Sequence, residues 1–492
     1  MTFLLTPPVR GLNDLSIESR VIATPWSRIV RGIGLGQHPI GWDATAASRI
    51  RDSFALLDER APGVGMYTGF ARALAELVLQ VADPSVRLGY RQTQDLMNAA
   101  ADSAFAIANP YYRLTAGCAL LSAVAKLGVS KAHLVDGARD IPAQVLATIG
   151  EIRPDGIKDE NRGRHGDYER LSAWTAVFLA FGQLDLHDRL VSAEHDHVAE
   201  ALALIDNIPA PFFRGRGGSM LLSATMLLGF DDHIFDGPTN YLSATLSYLD
   251  RVDELQIYPS FPSPMSPAFA KVYPLLTMLN AVAVTGRLSY LESGRDRLAE
   301  AAELMAAVAP VERTHMGLYH VVALHNLGHL TADGPRLVDL VEPLVAQWRD
   351  IDPGQDYFLY GISYAYLTQL AFFTGREDLI TEPMVERMLT AFPSLERSAE
   401  SRANRPYPFS YVLNVLTELG LGDLLYTPHD AYGGSTPFRW FADHLSPGAR
   451  AEQARLYMVD HALLSWALRL RPAGAVEPGA LGRFRFAARE ER

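Results

Sequence analysis

The sequence predicts an all-α protein, an α/α toroid of about six to seven helical hairpins. One observation behind this is a recurring phrase: an apolar helix, a glycine, a short polar turn and an amphipathic helix. It stands as AVAKLG (Gly128), FLAFG (Gly182), TMLLG (Gly229), VAVTG (Gly286), LHNLG (Gly328), AFFTG (Gly375) and LTELG (Gly420), at intervals of 42 to 57 residues. A second is that the two helices of each phrase differ in character. A third is that the period-two alternation of a half-buried strand is nearly missing after Tyr67.

The contrast between the paired helices assigns them to layers. In YLESGRDRLAEAAELMAAVAP, Leu298, Ala301, Met305 and Val308 fall three or four apart while Arg295, Arg297 and Glu300 lie on other faces, the pattern of a half-exposed outer helix. AFAKVYPLLTMLNAVAVTG is apolar nearly all round, as a helix covered on both sides must be. An inner ring of such helices inside an outer ring facing water is what a toroid requires. An open TPR or HEAT solenoid would show shorter or more even periods and fewer long loops.

In chain order, residues 1–60 carry TPPVRG, TPWSR and RGIGLGQHPIGWD ahead of a helical pattern near residues 44–57, and predict an N-terminal extension packed on the body. Gly32, Gly34 and Gly36 imitate a dinucleotide fingerprint, but no strand precedes them and no βαβ pattern follows. The toroid body is expected over 61–470, its first hairpin, Tyr67 to Ala108, being the least regular. Residues 471–492 predict a loop-like tail.

Composition narrows the function. A chain of 492 residues with 48% hydrophobic content can bury a large core. Lys and Arg number 44 against 56 Asp and Glu, with no basic run, which speaks against nucleic acid as a partner. Cys118, the single cysteine, excludes an intramolecular disulfide and any multi-cysteine zinc site, and its apolar neighbours predict a core thiol. MTFLLTPPVRGL lacks the charged start and long apolar middle of a signal peptide, and no apolar run reaches the ~18 residues of a membrane span. The expectation is a cytoplasmic protein without a membrane span, metal or cofactor.

The segments entering the inner helices read as long and polar, and the turns after the glycines as short. The entries are GIKDENRGRHGDYERLSAW, IPAPFFRGRGGSM, IYPSFPSPMSPAFAKVY, PVERTHMGLYH, DIDPGQDYFLYG and SAESRANRPYPFSY. All inner helices of a toroid start at one end, so these loops are expected to form one mouth, the natural place for a pocket. RGRHGDYER gathers Arg164, His165, Asp167, Tyr168 and Glu169. An imidazole with carboxylates beside it suits general acid–base work, His165 acting with Asp167 or Glu169 and with Tyr168 or Tyr357 as proton donor. The alternative is a salt-bridged helix start, Asp167 as N-cap and Glu169 in the first turn. FRGRGGSM sets Arg214, Arg216 and Ser219 among glycines just before a helix start, a combination suited to a phosphate or carboxylate. His315, His320 and Arg405 join the expected binding surface.

Other signals rank lower. Of His315, His320, His325 and His329, only His325 and His329 share a helix face, and a third metal ligand is lacking. His195, Asp196, His197 and Glu200 in EHDHVAE read as a solvated outer helix.

FDDHIFD resembles the aspartate-rich motif of class I terpene synthases, which implies Asp231, Asp232 and Asp236 as magnesium and diphosphate ligands. The second Asn/Ser/Glu metal motif of those enzymes is missing, as is the DxDD acid of the class II terpenoid cyclases, which also use α/α barrels. The slot directly after Gly229 also places FDDHIFD at the end opposite the expected mouth. The architecture resembles lanthionine cyclases as well, and GRHG their Gly/His/Gly element; those enzymes hold zinc through two cysteines and a histidine, and one cysteine cannot carry that site over. The reading of the whole is a metal-independent acid–base enzyme of the cyclase, isomerase or lyase type, acting on a small metabolite or peptide. The alternatives are a noncatalytic peptide-binding or scaffold protein, and a magnesium-dependent terpenoid cyclase.

Overall fold

The structure, a computed structural model, describes residues 48, 51–56, 59, 65–83, 85–137, 139–153, 166–252, 266–285, 295–326, 337–353, 357–373, 377–394, 409, 412, 416 and 422–444. Their regular structure is helical apart from one two-residue strand pair, β1 (Val135–Asp136) with β2 (Arg139–Asp140), and one isolated bridge. The helices are α1 (Gly65–Ala82), α2 (Tyr90–Phe105), α3 (Pro110–Leu127), α4 (Ile141–Glu151), α5 (Gly166–Gln183), α6 (His197–Asn207), α7 (Pro211–Leu228), α8 (Asp231–Phe235), α9 (Tyr241–Leu249) and α10 (Pro267–Thr285). After these come α11 (Arg297–Ala307), α12 (Pro310–Asn326), α13 (Leu337–Asp350), α14 (Tyr357–Phe373), α15 (Glu382–Ser394) and α16 (Pro437–Asp443). The chain divides into two compact units, one of residues 14–36 and 88–336, the other of residues 1–13, 37–87 and 337–492.

In the unit holding 88–336, α3, α5, α7, α10 and α12 form an inner layer, each packed on the next, with α2, α4, α6, α9 and α11 laid against them as an outer layer. The inner helices run parallel, since N-terminal turns meet N-terminal turns: Tyr168 on α5 touches Phe213 on α7, and Phe269 in the first turn of α10 lies by His315 in the second turn of α12. Burial follows the layers. On α5 nearly every residue is buried, including Leu171, Trp174, Phe178 and Phe181, whereas α11 buries only Ala301 and Met305.

The glycine phrase behaves as expected at Gly128 and Gly229, which end α3 and α7 at φ 65° and 79° with the left-handed conformation open to glycine. Gly182 differs: α5 continues past it to Gln183, and the positive φ, 49°, falls on Asp185. Gly286, Gly328, Gly375 and Gly420 lie outside the described residues.

The sorting of loops by length is corrected where both kinds are described. Only residues 208–210 join α6 to α7 and only 308–309 join α11 to α12, while 128–140, 184–196 and 229–240 follow the inner helices. The reason is how each junction is satisfied. Where the junction is described, the outer helix ends on a buried aliphatic residue, Ile208 or Val308, and the next inner helix starts within two residues on a proline. The turn toward an outer helix must instead deliver a capping side chain. Asp140, Asp196, Asn240 and Asp296 accept from Ala143 N, Ala199 N, Ser243 N and Ala299 N at 2.9–3.0 Å. Two of these caps also link neighbouring hairpins, Asp140 accepting from Arg189 Nη1 at 3.0 Å and Asp196 meeting His233 Nε2 at 3.1 Å.

A second recurrence was there to be read. Pro-x-x-Arg opens three inner helices, at Pro110–Arg113, Pro211–Arg214 and Pro310–Arg313. Arg214 donates to the carbonyls of Ile208 and Asp206, each at 2.6 Å, and Arg313 to those of Met305, Ala306 and Val308 at 2.8–3.1 Å. Each guanidinium thereby satisfies the orphan carbonyls at the end of the preceding outer helix. Arg113 turns to Glu151, the last residue of α4, at 2.6 Å.

FRGRGGSM is likewise corrected. It is the interior of α7, whose helix starts at Pro211, and not a loop ahead of one. A Cβ on Gly215 would stand 2.4 Å from Leu249 Cδ2, on Gly218 2.9 Å from Thr245 Oγ1, and on Gly217 3.1 Å from Leu171 and Tyr168. The glycines therefore serve close approach of α5 and α9, at a helix-propensity cost of about 1 kcal/mol each.

In the other unit α14, YFLYGISYAYLTQLAFF, packs against amphipathic α13 and α15, and Trp348 of α13 stacks on Tyr360 with ring centroids 4.7 Å apart. Here an early and a late part of the chain meet, Arg51 pairing with Glu76 and Ser53 Oγ lying 2.8 Å from Tyr426 Oη. Cys118 is buried, and no described helix is long and apolar enough to cross a membrane.

Replacing Arg313 by Met strands three carbonyls of α11 and keeps the stem's apolar bulk. The expected loss is about 1–3 kcal/mol, read as a lower urea midpoint with an unchanged slope; an unchanged midpoint would remove the capping role.

Candidate active site

An α-helix turns about 100° per residue, so Arg216, two residues beyond Arg214, points about 200° away from it. Arg214 faces the outer layer; Arg216 faces the neighbouring inner helices, with only 4% of its surface exposed. Its guanidinium lies over the Tyr273 ring of α10 at 4.9 Å from the centroid. Such a stack contributes about 0.5–2 kcal/mol and leaves the in-plane N–H groups directed to the sides. The Tyr273 hydroxyl lies 3.4 Å from that of Tyr319 on α12, both rings being buried. His315, one turn before Tyr319 and 4% exposed, has its ring 5.8 Å from Phe269 and 6.5 Å from both Tyr273 and Tyr319. A cation, two phenols and an imidazole are thus gathered within the second and third turns of three successive inner helices.

The floor of this cluster is fixed by Glu312. Its carboxylate accepts from Ser266 N at 2.8 Å, Ser266 Oγ at 2.7 Å and Ala309 N at 3.0 Å, tying the start of α10 to the start of α12. This sets the mutual register of Tyr273 and Tyr319. The third neighbour is α5, where Asp167, Tyr168, Glu169 and Ser172 are all buried. Tyr168 sits edge-on to Phe213 at 5.0 Å and flat against the space left by Gly217. Its hydroxyl is buried with no hydrogen-bond partner among the described residues.

The expected site residues divide as follows. Arg216 and His315 enter the cluster, and Tyr273 and Tyr319 form its centre. Asp167, Tyr168 and Glu169 occupy the first turn of α5 on the adjoining helix. Asp167 is inside the helix, one residue past its start, and pairs with Arg170 at 3.4 Å. Ser219 donates to the Arg216 carbonyl at 2.9 Å, a bond within α7. Arg214 belongs to the junction with α6, and its guanidinium also covers the Tyr248 ring at 4.4 Å. His320, five residues after His315, lies about 140° round α12 from it and faces the side of Arg313. Arg164, His165 and Arg405 lie outside the described residues, as does the side chain of Tyr357.

FDDHIFD folds as α8 in the turn after Gly229, with Asp231 and Asp232 in its first turn and His233 given to the Asp196 link. Thirteen residues of helix separate Gly229 from Arg216, about 20 Å at 1.5 Å per residue. The motif and the cluster therefore stand at opposite ends of α7. Among the described residues no three of His, Cys, Asp and Glu are grouped as metal ligands.

The sequence already sets Tyr273 and Tyr319 among the residues of the expected mouth, but not as a pair. Their signal was the 46-residue spacing they share with Phe269 and His315, one repeat apart. Compared with protein-family models, with curated proteins and with solved structures, the chain finds no match.

His320 is half-buried, and desolvation lowers its pKa from 6.5 to about 4. The unfolded chain therefore takes up a proton first as pH falls. The stability this group contributes is complete above about pH 6.5 and is lost as pH drops toward 4, a change of about 3 kcal/mol. Urea midpoints at about pH 7.5 and about pH 4.5 should converge in His320→Gln relative to the unsubstituted protein; an equal pH dependence in both would exclude the group as the cause.

Proposed function

We propose that this chain is an acid–base enzyme of the cyclase, isomerase or lyase type, with the inner and outer helices arranged as an α/α toroid of six to seven hairpins. Its substrate is a small metabolite or peptide bound at the N-terminal ends of the inner helices. The observation that carries this is the buried cluster of Arg216, Tyr273, His315 and Tyr319. A core built only for stability fills such positions with aliphatic side chains, which carry no charge or hydroxyl to desolvate. Concentrating four polar groups at one level of three helices supports chemistry there.

In this reading Arg216 holds an anionic group of the substrate and stabilises negative charge that develops in the transition state. His315 exchanges the proton, and the Tyr273–Tyr319 pair donates or relays it. His165, directly ahead of α5 in the sequence, acts as a second acid or base with Asp167 or Glu169 orienting it, and Tyr168 supplies a further phenol. These groups move protons and need no redox partner, which favours cyclisation, isomerisation or elimination. The noncatalytic alternative, a peptide-binding scaffold, uses the same surface without turnover.

Cell extracts of metabolites and peptides, incubated with and without the protein and compared by mass spectrometry, separate the two. The enzyme consumes one compound and produces another. His315→Gln and Arg216→Met should each slow that conversion by about 100-fold or more, while circular dichroism and melting temperature stay near those of the unsubstituted protein. Folded variants with full turnover would remove the cluster from the chemistry, and binding without conversion would favour the scaffold.

A further inference from the structure

We infer that Glu169 is a catalytic residue of this site in its own right, its carboxylate acting on the substrate beside Arg216 and Tyr273 instead of serving only to orient His165. This rests on the reading of the cluster as the substrate site and adds the acid–base group that α5 brings to it.

Helix geometry sets Glu169 on the Arg216 face. α5 touches α7 through Tyr168 and Leu171, since a Cβ on Gly217 would lie 3.1 Å from both, and Tyr168 also meets the Phe213 ring. The two helices run parallel. One step forward from Tyr168 and one step back from Gly217 therefore each turn about 100° to the same side of the pair, and those steps reach Glu169 and Arg216. In height Glu169 falls between Tyr168 and Leu171, which puts it within about one helical turn of Arg216 along the axis. The side they share is the one away from the outer layer. Trp174 meets His197 of α6 at 5.2 Å between ring centroids, and Glu169 lies about 140° round α5 from Trp174. Arg214, which grips the end of α6, lies about 200° round α7 from Arg216.

The repeat carries the same assignment independently. Glu169 and Arg216 both stand thirteen residues before the glycine of their phrase, and so do Tyr273, His315 and Thr115 of α3. All five are buried. Neighbours in this row meet, the Arg216 guanidinium lying 4.9 Å from the Tyr273 ring centroid and the Tyr273 and His315 rings 6.5 Å apart. Glu169 is the next position along. The repeat does not demand polarity there, because the sequence of α14 in the other unit carries Ile362 at that position.

The other charged groups near the starts of these helices are engaged elsewhere. Asp167 pairs with Arg170, Arg214 and Arg313 serve helix carbonyls, Glu312 holds Ser266 and Ala309, and Lys271 lies about 200° round α10 from Tyr273. Glu169 and Arg216 are thus the opposite charges of this face among the described residues. In the reaction Glu169 accepts a proton from the substrate, the electron pair of the broken bond staying on the substrate, and returns the proton in the following step. No redox partner takes part.

The test uses the full chain. Glu169→Gln keeps the shape and removes the charge. Because the two charges occupy one buried space, replacing Arg216 by Met is expected to be milder in Glu169→Gln than in the unsubstituted protein, by about 3 °C or more of melting temperature. Equal shifts in the two backgrounds would set the side chains apart and overturn the inference. Should Arg216→Met alone fail to fold, adding Glu169→Gln is expected to bring folding back, and a double variant that stays unfolded overturns it as well. The second readout is the conversion detected in cell extracts, which Glu169→Gln should slow about 100-fold or more and Glu169→Asp about 10-fold. A folded, fully active Glu169→Gln beside an inactive Arg216→Met leaves the enzyme standing and removes Glu169 from its chemistry. Coupled melting temperatures with no conversion in any extract leave the placement of Glu169 standing and remove both the enzyme and the catalytic role.

Discussion

Everything at the cluster depends on how Arg214 and Arg313 grip the helix that comes before them. Each guanidinium binds carbonyls at the end of an outer helix, which fixes both where the inner helix begins and how it is rotated. With that rotation set, residues two positions later point the other way. Arg214 outward therefore means Arg216 inward, and Arg313 outward means His315 inward. One capping interaction, repeated, decides which side chains meet between α7, α10 and α12.

Close packing then determines what those side chains experience. Gly215, Gly217 and Gly218 weaken α7 as an isolated helix, but they let α5 and α9 come near enough to exclude water from Arg216 and Tyr168. In a dry site a charge acts strongly on its neighbours, and its own burial must be balanced. Glu312 shows how the protein handles this where no ligand is involved, with three donors on one carboxylate. Tyr168 shows the opposite treatment. Its hydroxyl is buried in the same environment with no hydrogen-bond partner among the described residues.

Along the outer edge a different economy prevails. Asp140 and Asp196 cap their own helices through one oxygen and reach the next hairpin through the other, by Arg189 and His233. FDDHIFD, so suggestive as a metal motif, contributes its histidine to this chain of links. Asp231 and Asp232 occupy a helix start, where carboxylates favour the dipole, and Asp236 stands at the helix end. The EHDHVAE segment belongs to the same edge, Asp196 as cap and His197 beside Glu200 at 2.9 Å.

From sequence alone, the all-α class, the alternation of buried and half-buried helices, and the breaks at Gly128 and Gly229 could be read, because periodicity and left-handed glycines are local properties. So could the presence of Arg216 and His315 as polar residues near the starts of apolar helices. The lengths of the two kinds of loop, the place of FRGRGGSM inside a helix, and the parting of Arg214 from Arg216 could not. Those depend on where each helix begins, and that is decided by carbonyls and side chains of another helix. Tyr273 and Tyr319, both expected at the mouth, are 46 residues apart in the sequence; only the parallel packing of α10 on α12, held by Glu312, makes them a pair.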